Sequence, residues 1–178
     1  MKTLKFKFLF LVMLTGTTLF AQNSNYPEKF GNTLNLGLGI GGYSGYSDYV
    51  GHSLPVFHIN YEFGVAKNFT IAPFLTFYSY QEPNYRETVI PIGAKGTYYF
   101  DELFRANSHW DFYAAGSLGF ALISTSWNSG YDGDKTYYQG GSPIFLDLHI
   151  GTEYHISNRI GIFLDLSTGS STIGLAIH

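Results

Sequence analysis

Five carboxylates, one amine and two imidazoles are the residues of this chain whose types and spacing could do chemistry together. Glu62, Asp111, Asp147, Glu153 and Asp165 lie in segments whose polarity alternates residue by residue, and so do Lys95, His58 and His149. In each segment they occupy the polar phase, so they share one face if the segments are strands. An acidic set with a single lysine suits either a cation path or a network of buried ion pairs and hydrogen bonds. Charges taken out of water must be paired and hydrogen-bonded, so the network is the expectation. Lys95 and Glu153 are expected to pair across the enclosed space. A three-residue turn at 156–158 would put His149 opposite Asp165, which predicts a contact between those two side chains.

Two further groups have the right residue types. His155 and Ser157 would make a base and a nucleophile, but a convincing pair needs a third group to orient the base, and no glutamate follows downstream. Tyr131-Asp-Gly-Asp-Lys135 holds two carboxylates without the remaining acidic ligands or the spaced glutamate of a calcium loop. It reads as a solvated turn. No catalytic residue, metal or other cofactor is expected from these patterns.

The elements that must position these side chains are strands. Ile144 to Ile156, IFLDLHIGTEYHI, sets Ile144, Leu146, Leu148 and Ile150 on one side and Asp147, His149 and Glu153 on the other. The same alternation recurs at 33–43, 54–63, 69–79, 90–100, 110–123, 160–166 and 172–177, which makes eight strands. Most approach the roughly 9–11 residues of a tilted membrane-spanning strand. Connections after the second, fourth and sixth strands (GVAKN, DELFRANSH, SN) are shorter as a set than those after the first, third and fifth. The latter carry SGYSDYVGHS, YQEPNYRE and STSWNSGYDGDKTYYQGGS.

Composition decides which face is inside. Charged residues make up 13% of the chain, against roughly 25% in soluble domains, while 19% is aromatic and there are 21 glycines. A water-facing row reading Asn35-Gly37-Gly39-Gly41, or Ala115-Ser117-Gly119-Ala121, would carry no charge at all. Such small residues suit the interior of an eight-stranded cylinder, which is only wide enough for side chains to fill. The competing arrangement is a soluble, exported carrier of lipocalin type, with its apolar row inside. Aromatic residues argue against it. They gather at the loop ends (Tyr43, Tyr46, Tyr78, Tyr80, Trp127) and the turn ends (Tyr61, Phe63, Tyr98, Phe100, Trp110, Phe112, Tyr154), around an aliphatic band. Two lipid–water interfaces select that distribution. Trp127, Tyr131, Tyr137 and Tyr138 of the third long loop are then expected to anchor it at the membrane surface, the other reading being a contact patch for an unidentified ligand.

Lys2, Lys5 and Lys7 precede an apolar run from Phe8 to Leu14, with a small-residue end at Leu19-Phe-Ala-Gln22. This is a secretory signal peptide with cleavage expected after Ala21; the apolar run is far shorter than the roughly 20 residues of a spanning helix. The net charge of -3 gives no basic excess for nucleic acid, and cysteine is absent.

Ile92-Gly-Ala-Lys-Gly-Thr-Tyr-Tyr-Phe100, Gly151-Thr-Glu-Tyr-His-Ile-Ser-Asn158 and the hairpin from Ile160 onward resemble the small eight-stranded outer-membrane β-barrel domain proteins of Gram-negative bacteria. Ile173-Gly-Leu-Ala-Ile-His178 is similar to their assembly signal, except that His178 stands where an aromatic residue is usual. The resemblance implies an all-β, antiparallel up-and-down transmembrane barrel over residues 22–178, with an apolar exterior and a small, polar filled lumen. It implies outer-membrane lipids and the barrel assembly machinery as partners, and location in the cell outer membrane. The expected molecule is monomeric and non-enzymatic, with a structural or adhesive role exercised through its longer loops. His155-Ile-Ser-Asn158 also looks like the His-x-Ser-Asn stretch of lipid A deacylases, which leaves a lipid A-modifying enzyme as the alternative.

Overall fold

Alternation gives each segment two faces, and a sheet that closes on itself buries one of them without leaving an edge. The computed structural model describes residues 30–41, 55–81, 83–100, 109–133, 135 and 144–178. The signal segment 1–21, Tyr43, Tyr46, Tyr137 and Tyr138 lie outside the described residues, as does the side chain of Tyr80. Eight strands follow one another: β1 (Thr33–Gly41), β2 (Val56–Ala66), β3 (Phe69–Gln81), β4 (Tyr85–Tyr99), β5 (Trp110–Trp127), β6 (Ile144–Ser157), β7 (Ile160–Ser167) and β8 (Ser170–Ile177). Each pairs antiparallel with its sequence neighbour. β8 returns to β1, from Leu34↔Ile177 to Gly41↔Ser170, and closes the barrel.

The faces fall as the alternation predicts. On β6, Leu148 is 61% exposed while its neighbour Asp147 is 1% exposed. Leu36 and Leu164 also point outward, and Glu153 points in. Left in water, each outward Leu, Ile or Phe would forgo about 1.5–3 kcal/mol of burial; against hydrocarbon tails it forgoes nothing. The chain is therefore a transmembrane barrel, and the carrier arrangement, which needs the opposite faces, is not the one it adopts. Tyr61, Phe63, Tyr98, Trp110 and Tyr154 form an exposed aromatic girdle at the turn end. Trp110 and Tyr154 pack at 4.8 Å between ring centroids, as do Tyr61 and Phe63.

Three features depart from the sequence reading. β4 begins at Tyr85 rather than Ile90, because Glu87 and Val89 continue the inward phase and are buried. Pairs such as Gln81↔Arg86 and Tyr85↔Trp127 extend β3, β4 and β5 into one raised ridge. The connection expected to be long after the third strand shrinks to residues 82–84. Finally, Tyr78 belongs to no exterior girdle. It sits on the inward phase of β3 and is buried with Val56, Val89 and Ala121 in an apolar plug at the loop end of the lumen.

One layer further in, Phe74 packs against Phe145 at 5.8 Å and against His58 at 5.9 Å. At the opposite end Phe30 stacks on Tyr99 at 4.2 Å. Glycines let the wall close this tightly. Gly93 and Gly119 face each other across β4 and β5, and a Cβ on Gly119 would lie 2.8 Å from the Gly93 Cα, closer still to the Ile92 carbonyl. Backbone on both sides cannot yield as a side-chain tip would. Gly119→Ala is expected to cost about 1–3 kcal/mol, read as a lower denaturant midpoint of the folded barrel.

Candidate functional site

The polar phases of the strands meet in the lumen, Asp147 toward the loop end and Asp111 and Glu153 toward the turn end. Glu62 on β2 is buried, with no cation at hydrogen-bond distance among the described residues, and is held by donors. Asn35 Nδ2 donates to its Oε1 at 2.9 Å; Thr70 Oγ1 and Tyr99 OH donate to its Oε2 at 2.6 and 2.8 Å. Asn35 also donates to Asn60 Oδ1 at 3.0 Å, and Asn60 Nδ2 donates to His58 Nε2 at 2.9 Å. That assignment leaves the proton of His58 on Nδ1, which donates to Thr76 Oγ1 at 2.7 Å. A chain of neutral donors thus runs from the aromatic layer to a carboxylate.

Lys95 pairs with Asp165, not with Glu153 as its position suggested. Both partners are buried. Tyr113 OH donates to the same carboxylate at 3.0 Å while its ring lies 5.1 Å from the ammonium. His149 Nδ1–H donates to Asp165 Oδ1 at 2.7 Å, and Ser117 Oγ donates to His149 Nε2 at 2.8 Å. The expected His149–Asp165 contact is therefore present, but its register is not the expected one. His149 pairs with Ser167, and Asp165 with Gly151, because Asn158 and Arg159 form the turn and a bulge follows His155. A slip of two residues keeps both side chains on the inner face, so the contact survives as a diagonal one.

Asp147 has a local task. Its carboxylate accepts from Thr168 Oγ1 at 2.6 Å and from the Gly169 backbone N–H at 2.8 Å, which ties the β7–β8 turn into the lumen. Asp111 and Glu153 work at the other end, beside the mouth formed by the turns. Asp111 Oδ2 accepts from His155 Nε2 at 2.8 Å. Glu153 Oε1 lies 2.7 Å from His178 Nε2 and 3.7 Å from His155 Nδ1. Both ring nitrogens of His155 thus face carboxylates. Ser157 Oγ accepts from the backbone N–H groups of Arg159 and Ile160 at 3.3 and 3.2 Å, serving the turn. This arrangement supports the turn and gives Ser157 no activation as a nucleophile. Glu153, His155 and His178 offer three ligand atoms within 4.8 Å of one another, the one such group among the described residues.

Little space remains among the described polar groups of the lumen. The gap lined by His58, Glu62, Lys95, Tyr113, Glu153 and Asp165, among others, amounts to a cavity of about 10 Å³, room for one water at most. No protein-family model matches the chain, and no curated protein matches it in sequence. Among solved structures, the crystal structure of Neisserial surface protein A is similar, with a TM-score of 0.50 and 16% identity over 82% of this chain and 93% of that one. The fold is that of a small outer-membrane barrel. Ail of Yersinia pestis, in its complex with the heparin analogue sucrose octasulfate, gives 0.47 at 12% identity, covering 82% of this chain and 94% of its own. The N-terminal β-barrel domain of Pseudomonas aeruginosa OprF gives 0.44 at 10%, covering 83% and 96%.

In this outer-membrane barrel fold the predicted lumen residues Glu62, Lys95, Asp111, Asp147, His149, Glu153 and Asp165 all point inward, and His58 with them. They cluster by position, and Asp147 joins the Lys95 group through His149 Nε2, 3.7 Å from its Oδ2. Lys95, His149 and Asp165 make that group; Glu62 has its own donors; Asp111 and Glu153 share the histidines. The donors that satisfy them, Asn35, Tyr99 and Tyr113, carry the same inward phase and were visible by that signal. His178 was not, since it follows the last alternating pair and its partners come from β1 and β6. Of the loop residues, Trp127 stacks on Tyr131 at 5.0 Å and packs against Tyr85 at 5.3 Å, capping the ridge.

Proposed function

We propose that this chain is a non-enzymatic, monomeric protein of the cell outer membrane that holds its longer loops on a rigid, lipid-embedded plug, in a structural or adhesive role. The observation that carries this reading is the filled lumen. Among the described residues the lumen charges named above are paired or hydrogen-bonded, Tyr78, Val56, Val89 and Ala121 pack together at the loop end, and the gap among the polar groups admits one water at most. Neither conduction nor enclosure of a ligand suits such an interior, whereas presentation of loops asks only for a stiff base. Outer-membrane lipids are the partners of the wall, the assembly machinery is the partner during insertion, and the termini lie on the periplasmic side. The loop partner is a surface molecule contacted by the first and third long loops, for which the Tyr85–Trp127–Tyr131 cluster is the rigid footing.

Cells producing the barrel are compared with cells producing a version whose third loop (128–143) is replaced by a short Gly-Ser linker. Attachment to matrix-coated surfaces is expected to fall to the level of cells lacking the protein, with the trimmed barrel still folded in the membrane. Lipid A from the same cells is expected to be the same with and without the protein. Loss of acyl chains that depends on the parent chain and stops in Ser157→Ala would overturn the non-enzymatic reading; attachment indifferent to the loop would remove the adhesive one.

A further inference from the structure

We propose that Glu153, His155 and His178 form a binding site for a divalent transition-metal ion of the zinc class, at the end of the barrel that carries the tight turns. Glu153 and His155 are two apart on β6 and so share its inner face. His178 follows β8 and reaches the same point from the far side of β7. Between them stands Gly161, paired with His155 on one side and Ala176 on the other. A Cβ at Gly161 would collide with the Glu153 carboxylate. The glycine is the gap over which side chains from β6 and β8 meet.

The outer nitrogen of each imidazole is already engaged. His155 Nε2–H donates to Asp111 Oδ2 at 2.8 Å, and His178 Nδ1 lies 3.0 Å from Thr33 Oγ1. That is the second shell a metal-binding histidine requires, a carboxylate or hydroxyl fixing the ring and its tautomer while the other nitrogen is presented to the ion. With Nε2 protonated, His155 presents the Nδ1 lone pair toward Glu153 Oε1, 3.7 Å away. On binding, the His178 proton moves from Nε2 to Nδ1, where it is donated to the Thr33 hydroxyl; no net proton leaves.

Charge and access agree. Asp111 and Glu153 bring two negative charges, and the lysine of the lumen is committed to Asp165. The side chains of His155 and His178 are 22% and 24% exposed, so an ion enters from solvent without opening the wall. Two imidazoles and one carboxylate, with a remaining position for water, suit zinc and its neighbours; calcium and magnesium call for oxygen ligands throughout. Glu153 and His155 lie two apart on β6 and His178 follows β8, so no single spacing in the sequence announces the set.

The test is calorimetric titration of the full, untagged barrel, folded in detergent and freed of metal by chelator, with Zn²⁺ alone. One ion per chain is expected, together with a raised unfolding temperature. Glu153→Gln, His155→Gln and His178→Gln are each expected to weaken binding at least about tenfold, and Asp111→Asn about tenfold, the lower end of the range for second-shell losses. Gly161→Ala keeps every ligand and displaces Glu153; it is expected to weaken binding about tenfold as well, which guards against a terminal variant that merely fails to fold. His109→Gln, at the exposed rim, is expected to bind as the parent does. An unsaturable parent, or a His155→Gln/His178→Gln double variant that folds and binds like the parent, would overturn the site.

Discussion

Lys95→Met is expected to lower the unfolding free energy of the folded barrel by about 3–5 kcal/mol, the cost of leaving a buried charge without its partner. The Asp165 carboxylate would keep the Tyr113 hydroxyl and the His149 N–H but lose the only ammonium in its surroundings among the described residues. The gap beside it holds one water at most, too little to solvate a carboxylate. Denaturant titration of the barrel in lipid vesicles, followed by tryptophan fluorescence, reads the change. The double variant Lys95→Met/Asp165→Asn is expected to regain most of the loss, because a neutral amide removes the orphaned charge while keeping an acceptor for Tyr113. A penalty below about 1 kcal/mol for the single variant would be that of a solvated surface pair and would contradict a closed lumen.

The second large effect lies one wall thickness away. Leu148→Arg is expected to destabilise the barrel in a bilayer by about 2–4 kcal/mol, the cost of a guanidinium near the hydrocarbon midplane. Ile160→Arg at the turn end, where the side chain reaches the interface, is expected to cost about 0–1 kcal/mol. Depth separates the two variants; both side chains are outward and exposed. A Leu148→Arg barrel as stable as the parent within about 0.5 kcal/mol would be behaving like a water-facing surface, and the membrane reading of the apolar row would fail.

Both experiments rest on facts of different legibility. That Leu148 faces lipid and Asp147 the lumen follows from a two-residue period within one strand. The same local count placed Glu62, Lys95, Asp111, Glu153 and Asp165 inside, and it carried Tyr99 and Tyr113 with them. Where it was set aside it misled: Tyr78 has the inward phase, yet its position near a loop suggested an exterior girdle. β4 likewise begins before Ile90, because Glu87 and Val89 obey the alternation through a stretch rich in turn-forming residues.

The sequence by itself determined the strands, the face of each side chain and hence the barrel, since pleating links every residue to its neighbours on the same strand. Tertiary structure alone decided the partners. Lys95 meets Asp165 rather than Glu153, and His149 pairs with Ser167 while reaching Asp165 diagonally. His178 crosses β7 to meet Glu153. The physical reason is that a slip of two residues between strands leaves every face unchanged but replaces every neighbour. Which slip occurs depends on turn length, bulges and the closure of β8 on β1, and those are properties of the whole barrel.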